Sequence, residues 1–234
     1  MDRSYSCDRV SKPHLEFRYK ARASIVARNA ERFLDTEAAL SVLDLGCAEG
    51  LTLIDMCNLL PVREAIGVEY SDDILRLAPP LPENITLLRG DVNKLPERIP
   101  SSYFDLVSAL AILEHVRDPI QVASEALRVL RPGGLFIATS PRPFWDNLSS
   151  RLGLHRGEDH RVELGRSLLV ETLERAGFEV VDYTRFMFAP VAFVPYLKIA
   201  VSPSLAQRFD DAVRVLRVLD GFFVNQCIVG RKQV

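Results

Sequence analysis

The stretch Val42-Leu43-Asp44-Leu45-Gly46-Cys47-Ala48-Glu49-Gly50 decides the fold of this 234-residue chain. Ser41 to Leu45 is a short apolar run that stops at Gly46, which predicts a buried strand. Thr52 to Leu60 follows as a predicted helix, and Pro61 ends it. A strand, a glycine turn and a helix in this order predict one βα unit. Its glycines would let a ligand approach the backbone closely, and its helix start would expose free N–H groups.

The alternation of strands and helices continues on both sides of this unit. Further strands are predicted at Glu64–Tyr70, Ile85–Arg89, Phe104–Leu110, Leu135–Thr139, Phe178–Phe186 and Val224–Val229. Further helices are predicted at Leu15–Leu34, Asp72–Ala78, Pro119–Leu130, Ser167–Ala176 and Ser204–Leu219, the third closed by the turn Arg131 to Gly134. The last helix is amphipathic, with Leu205, Phe209, Val213 and Leu216 on one face. This spacing predicts an α/β fold with a parallel sheet between two helical layers.

Composition narrows the class of protein. Hydrophobic residues make up 48% and charged residues 26%, and the net charge is −2, so bulk charge does not attract nucleic acid. The four cysteines form no Cys-x-x-Cys pair, which favours a reduced, cytoplasmic compartment over a zinc or dithiol site. The first twenty residues lack the apolar core of a signal peptide, and no run approaches the ~18 apolar residues of a spanning helix.

Polar and aromatic residues stand where the predicted strands end. Glu69 ends the second strand, ~20 residues beyond the glycine loop, where an acid can accept from ribose hydroxyls. Tyr70 follows it and could lie against an adenine ring. Asp91 and Val92 follow the third strand and could read the adenine edge, and Leu110 ends the fourth. Open α/β sheets bind ligands at these strand ends, so the sequence predicts a nucleoside-containing ligand there.

Five motifs in this order resemble those of class I S-adenosylmethionine-dependent methyltransferases, over roughly residues 40 to 180. The motifs are Val42–Gly50, Gly67–Ser71, Gly90–Val92, Ser108–Pro119 and Leu127–Gly134. The resemblance implies a doubly wound, Rossmann-like, mostly parallel seven-stranded sheet with an antiparallel C-terminal strand. It also implies S-adenosylmethionine as the cofactor.

The resemblance assigns roles to matching positions. It implies that Asp44, Gly46 and the loop residues Cys47, Ala48 and Gly50 hold the amino-acid part of the cofactor. It implies that Glu69 holds the ribose, and that Asp91 binds the adenine. Ala48 departs from the glycine that the family often has, and alanine narrows the conformations open to the loop.

We expect a single domain over residues 1–234. Residues 1–36 would form an N-terminal helical lid, residues 37–140 the cofactor-binding half, and residues 141–234 an acceptor-side half with the inserted helix 204–219. Oligomeric state has no signature in the sequence.

His115 is the candidate general base, because it follows the fourth strand and histidine titrates near neutrality. A structural role, such as a bond to Glu114 or a helix cap, remains an equal alternative. The run Leu113 to Pro119 is similar to one in ubiquinone-pathway O-methyltransferases, some of which hold a divalent metal there. Because Ala111 replaces the first acid of that pattern, we predict no metal.

The segments expected to bind the acceptor have the weakest motifs in the sequence. Trp145, His160 and Arg161 follow the fifth strand and are candidate acceptor-binding residues, with a solvated loop as the alternative. Phe186 to Tyr196 is apolar and interrupted by proline, so it could form an acceptor wall, touch a membrane surface, or simply cover the sheet. The first two alternatives imply a lipid-like or aromatic acceptor.

Three other functions compete with methyl transfer to a small molecule. One is a protein of this fold that binds S-adenosylmethionine without catalysis. A dinucleotide is disfavoured because Gly46 to Gly50 is not a Gly-x-Gly-x-x-Gly turn and carries acids that would repel pyrophosphate. Methylation of nucleic-acid bases is disfavoured because Leu110 to Leu113 replaces a target-base motif. The acceptor, and whether its O, N or C atom is methylated, stay open.

Overall fold

The computed structural model describes residues 12–151 and 162–233. Across these residues seven strands form one sheet: β1 Leu40–Leu45, β2 Val62–Glu69, β3 Ile85–Arg89, β4 Phe104–Leu110, β5 Leu130–Pro141, β6 Glu179–Phe188 and β7 Phe223–Arg231. The α-helices are α1 Pro13–Phe33, α2 Leu51–Leu59, α3 Asp72–Leu75, α4 Pro119–Val129, α5 Pro143–Arg151, α6 Arg166–Ala176, α7 Ala189–Ala192 and α8 Pro203–Arg214. Two 3₁₀ helices, Val194–Leu197 and Arg217–Phe222, flank α8.

The strand order is β3-β2-β1-β4-β5-β7-β6. The strand β1 pairs in parallel with both β2 and β4, so the chain reverses its winding direction between them. The strand β7 runs antiparallel to both β5 and β6. These pairings confirm the predicted doubly wound, mostly parallel sheet with an antiparallel C-terminal strand.

Each face of the sheet carries its own apolar core. The helices α1, α2 and α8 cover one face, and α4 and α6 cover the other. The helix α1 buries Phe17, Ile25 and Val26 in the first core, because its apolar residues recur at helical spacing. Its role as a lid stays a prediction. None of the helices in residues 12–151 and 162–233 has the length and apolar character needed to cross a bilayer.

Four local predictions differ from the structure. The helix predicted over Ser204–Leu219 ends at Arg214, and a 3₁₀ helix follows at Arg217–Phe222. The helix beginning at Asp72 ends at Leu75, well before the prolines. Arg131 to Gly134 belongs to β5, not to a turn, because Gly133 donates to the carbonyl of Lys232 and extends the sheet. The segment after β5 contains the helix α5 instead of a continuous loop.

The helix α8 is amphipathic, as predicted, but its predicted apolar face points outward. Of the four residues assigned to that face, only Val213 is buried, while Leu205 is 63% and Leu216 57% exposed. Ala206 and Asp210 point inward with Val213. Helical periodicity identifies an apolar face, but it does not say which surface covers it.

Left-handed backbone concentrates at the carboxyl edge of the sheet. Of the five left-handed non-glycine residues in the described chain, Ala48, Ala111 and Met187 have φ of 50°, 55° and 63° and lie just after β1, just after β4 and near the end of β6, while Ser102 and Lys198 lie elsewhere. L-residues adopt this conformation only when their surroundings hold them there. The carboxyl edge is therefore where the fold imposes strain.

Candidate functional site

The glycine loop after β1 is tied to the end of the neighbouring strand. The backbone N–H groups of Gly46 and Cys47 donate to the carbonyl of Val68, at 2.8 Å and 3.1 Å. Gly46 has φ +74°, and a Cβ there would lie 2.7 Å from the side chain of Ile112. The loop therefore needs glycine at this position for both backbone shape and space. Gly50 is left-handed too, at φ +86°, and begins α2.

Glu69 links this loop to the end of β2. Its Oε2 accepts from the N–H of Ala48 at 3.2 Å, and its Oε1 accepts from the N–H of Ser71 at 2.9 Å. A carboxylate has about four acceptor sites, so each oxygen keeps capacity for one more donor. The side chain is half-buried and stands where ribose hydroxyls were predicted to donate.

Asp44 lies at the end of β1, buried within the sheet. Its Oδ1 accepts a 2.6 Å hydrogen bond from Ser108 Oγ on the adjacent strand β4, and both side chains are buried. Bonds to an ionised acceptor are short and strong, so Ser108 fixes the position of this carboxylate.

Cys47 is a packing residue and not a nucleophile. Burial raises the pKa of its thiol well above the usual value, and the nearby carboxylates of Asp44 and Glu69 raise it further. A Cβ on Gly67 would lie 2.6 Å from Cys47 Sγ, so the thiol packs directly on the backbone of β2. The thiol thus stays protonated.

The predicted adenine-binding residues lie at the ends of β2 and β3. The side chain of Tyr70 is 70% exposed. Asp91 is exposed, and its Oδ1 accepts from the N–H and the side-chain amide of Asn93, both at 2.8 Å. The side chain of Val92 is buried in the core, so only its backbone could face a ligand. The N–H of Gly90 donates to the carbonyl of Glu69 at 2.9 Å, which holds the two strand ends together.

The segment after β4 passes over the glycine loop. Leu110 is half-buried, and the N–H of Ala111 donates to the carbonyl of Thr139 at 2.8 Å. His115 is half-buried in the following turn, where its N–H donates to the carbonyl of Ile112 at 2.9 Å. The turn therefore carries His115 on the segment that contacts Gly46, and its role as base stays a prediction.

Trp145, a predicted acceptor-binding residue, anchors α5. Its indole N–H donates to the carbonyl of Gly221 at 2.8 Å, and Arg142 Nη1 donates to the carbonyls of Asp220, Gly221 and Phe223. Burial lowers the pKa of Arg142, and the nearby Arg185 lowers it further. These bonds hold α5 against the second 3₁₀ helix. The other two predicted acceptor residues, His160 and Arg161, lie outside the described residues.

An aromatic cluster surrounds Trp145. Its ring lies 6.3 Å from that of Phe193 and 6.4 Å from that of Phe222, centroid to centroid. Phe188 joins the cluster through Phe222 at 6.2 Å. The cluster forms an apolar, partly open surface where β6 ends and the antiparallel strand β7 begins.

Negative charge surrounds the glycine loop. Asp44, Glu49 and Glu69 lie in or beside it, and Asp91 lies at the end of β3. Carboxylates attract a sulfonium or ammonium cation and repel a pyrophosphate. The residues present therefore fit S-adenosylmethionine better than a dinucleotide.

Sequence reasoning missed several residues that shape this site. Ser71 and Ser108 hold the two central carboxylates, and Ile112 fills the space over Gly46. Neither serine has a sequence pattern of its own, and the contact of Ser108 with Asp44 depends on β4 lying beside β1. Among the described residues, no group of three His, Cys, Asp or Glu side chains has the arrangement of a metal site.

Comparison with known proteins gives consistent results. A family model described as "Methyltransferase domain" matches residues 43–138. A probable S-adenosylmethionine-dependent methyltransferase of Mycolicibacterium smegmatis is 32% identical over 151 residues, covering 62% of this chain and 54% of that protein. A demethylmenaquinone methyltransferase of Symbiobacterium thermophilum is 30% identical over 185 residues, covering 64% of this chain and 73% of that protein. The chain thus spans only about half the length of the mycobacterial relative.

Solved structures share the fold across different activities. The crystal structure of the cyclase SpnF superposes with a TM-score of 0.62 at 23% identity, covering 91% of this chain and 81% of that one. At this identity the likeness concerns the fold alone, so the reaction has to be inferred from the site.

Proposed function

This chain belongs to the S-adenosylmethionine-dependent methyltransferases, and from that premise we propose that it transfers a methyl group to a small, apolar or lipid-like acceptor. The bond between Glu69 and the Ala48 N–H carries the proposal most directly. It joins the glycine loop to the acid at the end of β2, which supports a single cofactor-binding surface formed by both.

The cofactor, when bound, supplies a methyl group on a positively charged sulfur that leaves as a neutral thioether. The chain then has mainly to bind and orient, because the methyl group is already activated. Asp44 and the loop Gly46 to Gly50 would hold the amino-acid end. Glu69 would accept from the ribose hydroxyls, and Asp91 with Tyr70 would hold the adenine.

His115 would accept the proton that an acceptor hydroxyl or amine releases during attack. It lies in the turn after β4, on the segment that covers Gly46, so it is close to the cofactor loop. A carbon or amine acceptor that needs no base would leave His115 with only a structural role.

The aromatic cluster around Trp145 supports an acceptor with an apolar part. Rings of Trp145, Phe193 and Phe222 gather at the carboxyl edge, which is the edge that also holds the cofactor residues. A flat aromatic or polyprenyl group could pack there. The demethylmenaquinone relative supports the same class of acceptor.

The test measures S-adenosylhomocysteine formation from S-adenosylmethionine with a panel of hydroxylated quinols, each offered with and without a lipid tail. We expect turnover with apolar acceptors and none with polar phenols. The variant His115→Ala should lose about 10²–10⁴-fold in kcat with unchanged cofactor affinity. Cofactor binding with no turnover on any acceptor would support the non-catalytic alternative.

A further inference from the structure

Large apolar side chains are exposed mainly in one stretch of the described chain, from Leu197 to Phe222. Leu197 is 73% exposed, and the other exposed large apolar residues in this stretch are Ile199, Leu205, Phe209, Val215, Leu216, Val218 and Phe222. We call these eight residues the outer apolar strip. Monomeric soluble proteins rarely leave so many large apolar side chains uncovered together.

Helix geometry joins the residues of α8 into one stripe. Leu205, Phe209 and Leu216 are spaced at i, i+4 and i+11, so they share the outward face of the helix and its extension. Arg208 and the exposed Ala212 fill the same face. The stripe is therefore a continuous surface along α8.

Ring contacts carry this surface on to α5. The ring of Phe188 lies 5.9 Å from that of Phe209 and 6.2 Å from that of Phe222. The ring of Phe222 lies 6.4 Å from that of Trp145, which contacts Phe144 at 5.5 Å. Phe144 is also exposed, so the apolar surface runs from α8 to α5 along the carboxyl edge of the sheet.

The charges on this surface are positive. Lys198 and Arg208 are exposed, and within the described parts of the chain no acid lies within ion-pair distance of either. The acids of residues 194–222 are all neutralised or buried. Asp211 pairs with Arg28 and Arg214, Asp220 pairs with Arg185, and Asp210 is buried.

We propose that the outer apolar strip binds the surface of a bilayer that contains anionic lipid. Its apolar side chains would enter the boundary between headgroups and acyl chains, while Lys198 and Arg208 meet lipid phosphates. The inference is argued from exposure and charge and not from methyl transfer, although the strip shares Phe222 with the aromatic cluster proposed to hold the acceptor.

A second copy of the chain is a poorer occupant. In a two-fold dimer the same patch faces itself, so the Lys198 and Arg208 of one copy would approach those of the other. No unpaired acid on the described part of this surface could compensate for that repulsion. An anionic bilayer has the complementary charge.

The experiment is co-sedimentation of the full chain with vesicles of phosphatidylcholine alone and of phosphatidylcholine mixed with phosphatidylglycerol. We expect binding to the mixed vesicles that weakens as salt is raised. The double variant Leu197→Ser/Leu205→Ser should weaken binding by about tenfold for each side chain. The double variant Lys198→Ala/Arg208→Ala should weaken it by about fivefold for each charge, on mixed vesicles only.

Leu59→Ser is the matched control, because Leu59 is 48% exposed on α2 and lies outside the strip. It should bind vesicles like the wild type, and all variants should keep the wild-type thermal unfolding midpoint. Absence of wild-type binding to mixed vesicles would overturn the proposal. So would a dimer, measured by light scattering, that Leu197→Ser/Leu205→Ser converts to a monomer.

Discussion

At the scale of single residues, Glu69 holds the glycine loop and is the residue proposed to bind the ribose. Its oxygens accept from the N–H groups of Ala48 and Ser71, and each keeps capacity for one further donor. Replacement by alanine should therefore remove ribose bonds and also release the glycine loop. We expect Glu69→Ala to weaken S-adenosylmethionine binding by about 1.5–3 kcal/mol for each lost bond, measured by calorimetric titration.

Asp73→Ala is the control for this variant. Asp73 is an exposed acid near the same strand end, in α3, and its ion pair with Arg76 is solvent-screened. The affinity of Asp73→Ala for the cofactor should match that of the wild type. An unchanged affinity in Glu69→Ala would remove Glu69 from the ribose site.

Glu64 gives a pH-dependent prediction at the opposite edge of the sheet. A hydrogen bond from the Tyr103 hydroxyl, with further bonds from Ser41 and Arg63, lowers the pKa of Glu64 below its usual 4.5. Its contribution to stability is thus present above pH 4.5 and is lost as the pH falls through the lowered pKa. In Tyr103→Phe the pKa of Glu64, measured by NMR titration, should rise toward 4.5. The variant should also lose less stability in acid than the wild type does. An unchanged pKa of Glu64 would contradict the role assigned to the Tyr103 hydroxyl.

Several of these residues could be predicted from the sequence, and others could not. The acids Asp44, Glu69 and Asp91 could be grouped because parallel strands end at the same edge. The partners Ser71 and Ser108 could not, because a serine near a strand end has no pattern of its own. The bond of the Trp145 indole to Gly221 depends on a fold contact 76 residues apart in sequence.

At the scale of elements, Asp210 joins α8 to the end of β6. Its two oxygens accept from the N–H groups of Met187 and Phe188 at 2.7 Å and 2.9 Å, and they hold Met187 in its left-handed conformation. Asp210→Ala would leave both buried N–H groups without an acceptor. We expect a loss of about 1–3 kcal/mol for each in the free energy of unfolding, measured by urea denaturation. The neighbouring Asp211→Ala breaks only surface ion pairs and should lose less than about 1 kcal/mol.

The carboxyl group of Asp210 also makes the stability of the fold depend on pH, but in the opposite direction to Glu64. Burial raises the pKa of Asp210 above its usual 3.8, and the two backbone N–H groups and Arg214 offset this only in part. Because the pKa of Asp210 is higher in the folded state, its carboxyl group contributes most to the stability of the fold below pH 3.8. This contribution to stability is lost as the pH rises through the raised pKa. The stability of the wild type relative to Asp210→Asn should therefore fall with rising pH, and a flat difference would contradict the raised pKa.

Secondary-structure elements could be predicted where burial produces a recognisable pattern of apolar residues. The strands β3 and β4 begin and end where the sequence placed them, because short apolar runs bounded by turn residues fit a buried strand. The outward face of α8 and the helix α5 were not predictable. Both depend on which neighbouring surface is available, which local periodicity does not encode.

At the scale of the whole molecule, the predicted cofactor residues and the aromatic cluster come from different parts of the chain. The predicted cofactor residues lie at the ends of β1 to β4, while the aromatic cluster comes from α5, β6 and the segments around α8. The parallel part of the sheet followed from the alternation of strands and helices. The antiparallel direction of β7 came only from the family resemblance, because strand alternation does not fix direction at the end of a chain, and its position between β5 and β6 was not predicted.

Cofactor binding should consequently stabilise the whole fold, because its residues come from four strand ends that separate on unfolding. At a ligand concentration ~100 times Kd, binding to the folded state alone adds about 2.7 kcal/mol. For a chain of this size 1 kcal/mol raises the unfolding midpoint by roughly 2–4 °C, so S-adenosylmethionine should raise it by about 5–10 °C in scanning calorimetry. NAD at the same concentration should leave it unchanged, because the carboxylates around the glycine loop repel a pyrophosphate. The rise in unfolding midpoint caused by S-adenosylmethionine should be smaller in Glu69→Ala and unchanged in His115→Ala. An equal rise with NAD would contradict the proposal that these carboxylates select against a pyrophosphate.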